Sequence, residues 1–304
     1  MLSRPPPRIV RLSAWLVTLG LAVAPFGRAQ SDGSGTTTES WDISDLLDRL
    51  PNMSPFRKLQ DKSPFPVRYY ARPRLGDFFH RDYLRLPVGM RAKPADEVEL
   101  LTEVESYFTH GFGDGAGYGL SKVRVGGKYE KEMTILHPFG WSVGTEASTP
   151  VSRPPMELTD GHRHVQPYFA VSKMLVPTYN LIAYSSIAAD FLSHTALAPN
   201  FGRNQLHGNS VTLSSGLTRD FKRFRVAVTG TWSTTSLLTD ENRNVFALRP
   251  DILIPLTKTP SILSRTHLLL IVGGRAVHGP DGTELGVAGN LRIEFAVQSG
   301  RYSH

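Results

Sequence analysis

Tyr83-Leu-Arg-Leu-Pro-Val-Gly-Met-Arg-Ala-Lys93 alternates over its whole length. Leu84, Leu86, Val88, Met90 and Ala92 fall on one side; Tyr83, Arg85, Pro87, Gly89, Arg91 and Lys93 fall on the other. A period of two with one apolar and one charged side is the pattern of a β-strand whose faces meet different surroundings. Pro87 has no backbone donor for a ladder, which predicts a bulge there or a strand end nearby. After a turn at Pro94-Ala95-Asp96 the pattern resumes. Val98, Leu100, Thr102, Val104, Ser106 and Phe108 face one way, and Glu97, Glu99, Glu103 and Glu105 the other, with Leu101 as an exception. Near the C-terminus, Leu285, Val287, Gly289, Leu291, Ile293, Phe295 and Val297 alternate with residues that include Arg292 and Glu294.

Between these segments the sequence predicts strands near 118–130, 133–147, 164–175, 180–194, 209–219, 223–237, 244–256 and 266–277. Leu268–Val272 is apolar on both faces, and a first strand near 65–74 is bounded by Pro66 and Pro73. Short links at 94–96, 130–132, 176–179, 220–222 and 258–264 alternate with longer, polar ones at 109–117, 148–163, 195–208, 239–243 and 278–284. Hairpins of a soluble sandwich have no reason to alternate in this way, whereas a membrane barrel has tight periplasmic turns and longer outside loops. Aromatic residues near the strand ends (Phe78, Phe79, Tyr107, Phe108, Tyr129, Tyr179, Phe191, Phe221, Phe224, Trp232) fit two interfacial girdles. The expected fold is therefore all-β: an antiparallel transmembrane β-barrel of about twelve strands with a short N-terminal extension and both termini on one side.

The N-terminus reads as an address. Arg4, Arg8 and Arg11 precede the apolar run 14–24, and Gly27-Arg28-Ala29 supplies small residues for cleavage. These are the three parts of a secretory signal peptide, in a run too short for a spanning helix. The expected organisation is a signal peptide over 1–29, a leader over 30–63, a barrel over 64–298 and a tail over 299–304. Within the leader, residues 30–39 are polar, and Trp41–Leu50 forms an amphipathic helix that serves as a periplasmic tail, a small lumen plug or a helix lying on the main domain. The expected location is the outer membrane of a Gram-negative-type bacterium.

The chain of 304 residues carries 34 Lys and Arg against 27 Asp and Glu and has no cysteine. Its formal charge of +7 invites a nucleic-acid partner. Four of the arginines belong to 1–29, however, and without them 30 basic residues face 27 acidic ones, so that partner loses its support. Absence of cysteine excludes disulfides, thiolate metal sites and a cysteine nucleophile.

In a barrel the charged face turns inward. Arg85, Arg91 and Lys93 then neighbour Glu99, Glu103 and Glu105, which neighbour Lys122, Arg124 and Lys128, while Arg292 and Glu294 lie on the last strand. Cross-strand ion pairs are expected. Either they fill a narrow barrel and tie its wall, or they set the electrostatic filter of a small pore. Asp160-Gly-His162-Arg-His164 offers carboxylate and imidazole, but no further ligand is placed with it, and it reads as a solvated loop rather than a metal site. The glycines of 111–119 lack the Lys-Ser/Thr ending of a phosphate loop, and no Gly-x-Ser-x-Gly elbow occurs. No catalytic residue and no cofactor are expected; the expected partners are membrane lipids and a small-molecule solute.

Leu84-Arg-Leu-Pro-Val-Gly-Met-Arg, Asp96-Glu-Val-Glu-Leu, Gly113-Asp-Gly and Val123-Arg-Val-Gly-Gly-Lys-Tyr together resemble a bacterial outer-membrane family. It is the one labelled as phenol-degradation-pathway or "transporter" outer-membrane proteins. Met90 stands where that family has an aromatic residue. The resemblance implies an outer-membrane barrel passing small hydrophobic or aromatic compounds, and it brings no site residues. The alternatives are a plugged barrel with a structural or adhesive role and a soluble secreted β-sheet protein that binds a ligand.

Overall fold

The computed structural model describes residues 67–75, 83–95, 97–109, 117–131, 138–151, 159–199, 204–221, 223–256 and 266–297. The signal peptide, the amphipathic segment, the C-terminal tail and the aromatics Phe78 and Phe79 lie outside the described residues. Among the described residues there are thirteen strand segments: β1 (Val67–Ala71), β2 (Arg74–Leu75), β3 (Tyr83–Ala95), β4 (Val98–Thr109), β5 (Tyr118–Lys131), β6 (Phe139–Pro150) and β7 (His162–Val176). They continue with β8 (Leu181–His194), β9 (Ser210–Asp220), β10 (Arg225–Thr234), β11 (Asn244–Pro255), β12 (Thr266–Gly279) and β13 (Gly282–Val297). Among the described residues no helix is long and apolar enough to cross a membrane, a statement that does not bear on crossing by strands.

Every strand is antiparallel to its neighbours, in chain order from β3 to β13. β1 pairs with β13 on one side (Val67↔Val297) and with β3 on the other (Val67↔Ala92); β2 also lies between β13 and β3. β1 and β2 are thus two pieces of one stave, and the all-β sheet has the twelve staves the sequence predicts. Both Val67 and Val297 stand at the same end, here called the terminal end.

Pro87 explains the break in that first stave. It sits inside β3 opposite Glu105, with no bulge in β3 at that point. On its other side the carbonyl of Pro87 accepts a hydrogen bond from the amide of Arg72 at 2.9 Å, within the gap between β1 and β2. The donor that proline lacks would have pointed into this gap. The expected strand end lies in the neighbouring stave.

The faces divide as the alternation requires. Val88, Leu100, Val104, Val125, Val143, Phe169, Ile187, Leu213, Leu248, Ile252 and Val287 are exposed, while Glu103, Glu105, Arg124, Ser172, Thr229 and Asp251 are buried. This inverts the arrangement of a water-soluble protein. A bulge in β5 opposite Glu105/Ser106 keeps the phase: Tyr118 and Leu120 face outward before it, and Val125 and Tyr129 after it. The apolar run in β12 also divides, with Leu269 and Ile271 buried and Val272 exposed; the first two cluster with Ala227 and Leu253.

Four interior tyrosines each lie over a glycine that is the directly opposed residue of the next strand. The pairs are Tyr70↔Gly89, Tyr107↔Gly119, Tyr168↔Gly144 and Tyr184↔Gly216. A Cβ at Gly144 would stand 2.6 Å from the Tyr168 hydroxyl and 2.7 Å from the Gly127 carbonyl, so only glycine lets the ring lie flat on the strand. Tyr107 therefore faces inward, which corrects its assignment to the interfacial girdle.

Links at 96–97, 177–180 and 221–224 are short, and those at 110–117, 151–161, 195–209 and 235–243 are longer, as expected. The regularity fails elsewhere. β6 begins at Phe139 rather than near 133, and the link expected to be long near 278–284 is the turn Pro280-Asp281. Gly279-Pro-Asp-Gly282 is itself a turn sequence, with Gly282 at φ 102°, so local chemistry prevails over the pattern of lengths. The β11–β12 link, expected to be short, spans 256–265.

Replacing Gly144 with alanine is expected to destabilise the folded barrel by about 1–3 kcal/mol. Gly230→Ala, whose added Cβ would meet only the Ser215 carbonyl at 3.9 Å, is expected to be near neutral. Urea titration of the detergent-folded proteins compares the two.

Candidate functional site

The charged rows predicted for β3, β4 and β5 come together. Glu99↔Lys128, Glu103↔Arg124 and Glu105↔Lys122 are directly opposed across β4 and β5. Glu99 lies 3.7 Å from both Arg91 and Lys128, and Lys128 is 2.5 Å from Glu130. Lys93 reaches Glu130 at 3.9 Å, so five charges form a chain near the terminal end.

Deeper in, Glu103 is the hub. It accepts a hydrogen bond from the Tyr70 hydroxyl at 2.8 Å, binds the Arg72 guanidinium, and lies 3.6 Å from Arg124, which in turn lies 3.9 Å from Glu146. Tyr70 is held between two guanidiniums, Arg72 at 5.0 Å and Arg91 at 5.3 Å from its ring centre. Glu105 accepts the Ser121 hydroxyl at 2.7 Å, the serine contributed by the β5 bulge. Arg85 and Lys122 are half-buried on the same face. Arg292 and Glu294 are strand positions of β13 whose side chains lie outside the described residues.

Arg72, Arg91, Arg124 and Lys128, with Glu99, Glu146, Tyr168 and the glycines 126 and 127, enclose a cavity of about 30 Å³. That volume holds one or two waters. Gly126 leaves it open, since a Cβ there would stand 2.7 Å from the Glu146 side chain. On the far side of the ring the interior changes character. Ala227, Leu253, Leu269 and Ile271 form the apolar cluster, and Ser186, Ser214, Thr218 and Thr229 are buried hydroxyls. Tyr184 hydrogen-bonds Thr229 across this wall, and Arg249 donates to Asp251 at 2.8 Å.

Sequence reading missed Tyr70, Arg72, Glu146, Arg249 and Asp251. Glu146 shares the parity of Ser142 and Gly144, and Arg249 and Asp251 that of Leu253, so extending the alternation finds them. Arg72 sits in the interruption between β1 and β2, where no period exists to extend.

The Asp160–His164 motif is not the solvated loop the sequence suggests: Asp160 and His162 are buried, His162–His164 open β7, and the motif forms a local ion-pair cluster. His164 places one ring nitrogen 3.0 Å from Asp160 and the other 2.9 Å from Asp190. The Asp160 carboxylate also accepts the backbone amide of His162 at 2.9 Å. Among the described residues no group of three His, Asp or Glu is arranged to hold a metal ion. Burial opposes ionisation of Asp160, but the hydrogen bond and charge of His164 and the His162 amide outweigh it, holding the carboxyl below its ordinary 3.8. At the same end the 195–209 link is pinned to other loops. The Asn204 amide donates to Asp281 at 2.9 Å, and Arg243 bonds Asp281 at 3.1 Å and His207 at 2.9 Å.

The chain matches no family model and no curated protein. The family resembled at residues 84–129 stands as a resemblance. Among solved structures the chain is similar to a KdgM porin, at 10% identity over 76% of this chain and 99% of that one, with a TM-score of 0.46. It is similar to a NanC porin at 11% identity over 76% and 99%, with a TM-score of 0.45. It is also similar to an outer-membrane channel from Pseudomonas putida F1 at 11% identity over 76% and 94%, with a TM-score of 0.48. Likeness at this level carries no functional argument, which rests on the chain's own residues.

Two outcomes test the site. Glu103→Gln leaves Arg72 and Arg124 without their shared carboxylate and is expected to destabilise the barrel by about 3–5 kcal/mol, read by urea unfolding. Asp160 has a depressed folded pKa, so its contribution is complete above the ordinary carboxylate value and is lost as pH falls through the lower folded value. Asp160→Asn is expected to remove that part of the acid-induced loss of stability, measured as the unfolding midpoint against pH from roughly 5 to 2.

Proposed function

We propose that the chain is an outer-membrane β-barrel that passes small solutes through an ion-paired constriction. The carrying observation is the segregation of charge: paired cations and carboxylates fill the interior face of β3–β6, while the outward face of the same strands is apolar. In hydrocarbon every backbone amide needs a protein partner, and strands paired on both sides supply one. Segments of ten to sixteen residues in β3–β13 meet the roughly 9–11 needed for a tilted crossing. The signal peptide expected over 1–29 supports export, and the terminal end then faces the periplasm.

The lumen presents two chemistries. Charged groups on β3–β6 stand across from the apolar cluster and hydroxyls of β8–β12. This suits solutes that carry a charged group on a small apolar or aromatic body, which brings the aromatic compounds implied by the family resemblance within the proposal. A second reading, a sealed barrel whose pairs only brace the wall, draws on the near-complete burial of Glu103, Glu105 and Asp251.

Planar-bilayer recording separates these. The folded protein is expected to give discrete current steps, and Glu103→Gln, by removing a lumen carboxylate, is expected to move the reversal potential in a salt gradient toward anion preference. Absence of current at every salt concentration from protein shown to be folded by heat-modifiable migration would leave only the sealed barrel.

A further inference from the structure

Outward strand positions are apolar or neutral with few exceptions. Among the described residues the charged ones are Lys131 on β5, Arg163 and Lys173 on β7, and Arg219 on β9; no Asp or Glu stands on that face. Three of the four, Lys131, Lys173 and Arg219, lie at the terminal end on every second strand, about 10 Å apart across the sheet.

They also share one level. From Lys131, directly opposed partners lead through Trp141 to Val171, and Lys173 stands two residues nearer the terminal end. From Lys173 the same path leads through Ala183 to Leu217, and Arg219 again stands two residues nearer. Strands of a barrel are tilted and staggered, so a level line advances along each successive strand. The repeated advance of two residues over two strands follows that stagger.

Two of the cations are seated on aromatic rings, and the third stands opposite one. Lys131 opposes Trp141, whose ring centre is 5.4 Å from that of Tyr129. The Lys173 ammonium lies 4.8 Å above Phe139, and the Arg219 guanidinium lies 5.0 Å from Tyr179 and 4.8 Å from Phe221. Phe221 stacks on Phe224 at 4.8 Å. Aromatic rings of this kind settle at the headgroup level of a bilayer, which fixes the height of the cations beside them.

We infer that this row binds the phosphodiester groups of anionic phospholipids. Exposed cations with no carboxylate on their face, held where a headgroup layer would lie, are the complement of a negatively charged lipid surface. The inference rests on the membrane reading above and adds the chemistry of the leaflet at the terminal end.

Quenching of tryptophan by brominated lipid tests it, because Trp141 lies within the row. The mature protein carrying Trp41→Phe and Trp232→Phe is folded into vesicles of phosphatidylcholine mixed with phosphatidylglycerol, one or the other brominated. Brominated phosphatidylglycerol is expected to occupy sites at Trp141 about fivefold more strongly than brominated phosphatidylcholine. That preference is expected to vanish in ~1 M salt, where the screening length is about 3 Å. It is also expected to vanish on joint Lys131→Gln, Lys173→Gln and Arg219→Gln substitution, and to persist in Arg163→Gln. Equal quenching by the two lipids at low salt would overturn the inference, as would a preference that survives high salt or the triple substitution in folded protein. If the triple variant does not fold, the salt series decides. Failure of either lipid to quench Trp141 would instead overturn the membrane reading itself.

Discussion

A backbone amide placed in hydrocarbon has no water to bond, and under the proposed membrane function this one constraint accounts for the order of the structure. It requires each strand to find partners on both sides, which β1 and β2 provide by standing between β13 and β3. Pairing on both sides then leaves only the two faces of the sheet free to differ. The outward face is apolar but for four cations near the strand ends, so the other strand charges turn inward, and charges brought inside a narrow ring must find one another. The ion pairs of Glu99, Glu103 and Lys128 follow from the ladder that puts them there.

Much of this is legible in the residues because a strand's period is short and strict. Eleven residues from Tyr83 to Lys93 are enough to assign inside and outside, and the assignment carried to β4 and β5 places Glu99, Glu103, Arg124 and Lys128 together. What escapes is what breaks the period. Arg72 reaches Glu103 from a gap between strand pieces, and the serine that holds Glu105 belongs to a bulge. Tyr107 lies near a strand end, where an interfacial ring is expected, but it shares the parity of Glu103 and Glu105 and lies inward over Gly119. The turn at Pro280-Asp281 departs from the alternation of link lengths because its own residues, Gly279-Pro-Asp-Gly282, encode a tight turn.

The interior is asymmetric in a way that composition conceals. Long charged side chains crowd β3–β6, while β8–β10 carry serine, threonine, alanine and glycine, and tyrosines laid on glycines make up part of the missing bulk. Tyr168 and Tyr184 stand on β7 and β8, where the charged wall gives way to the hydroxylic one. A buried cation or carboxylate without its partner is costly, so the charged side has little freedom to rearrange one residue at a time. The hydroxylic side has fewer such couplings, Asp190 with His164 and Arg225 with Asp220 near its two ends, and between them it accepts change more easily.

The divided first stave carries a consequence for how the ring comes into being. Nearly every other pairing joins segments adjacent in the chain, but Val67 must meet Val297 across the length of the whole sheet. Closing so long a loop is entropically the most demanding contact in the fold, and contacts of that kind are the slowest to form. The stave that makes it is also the shortest and is interrupted at Arg72-Pro73. Late closure and early opening therefore fall at the seam with β13, while on the opposite side the Arg72–Glu103 ion pair holds the interrupted stave to β4, the strand beyond its neighbour, and keeps its free edge in place to receive that last contact.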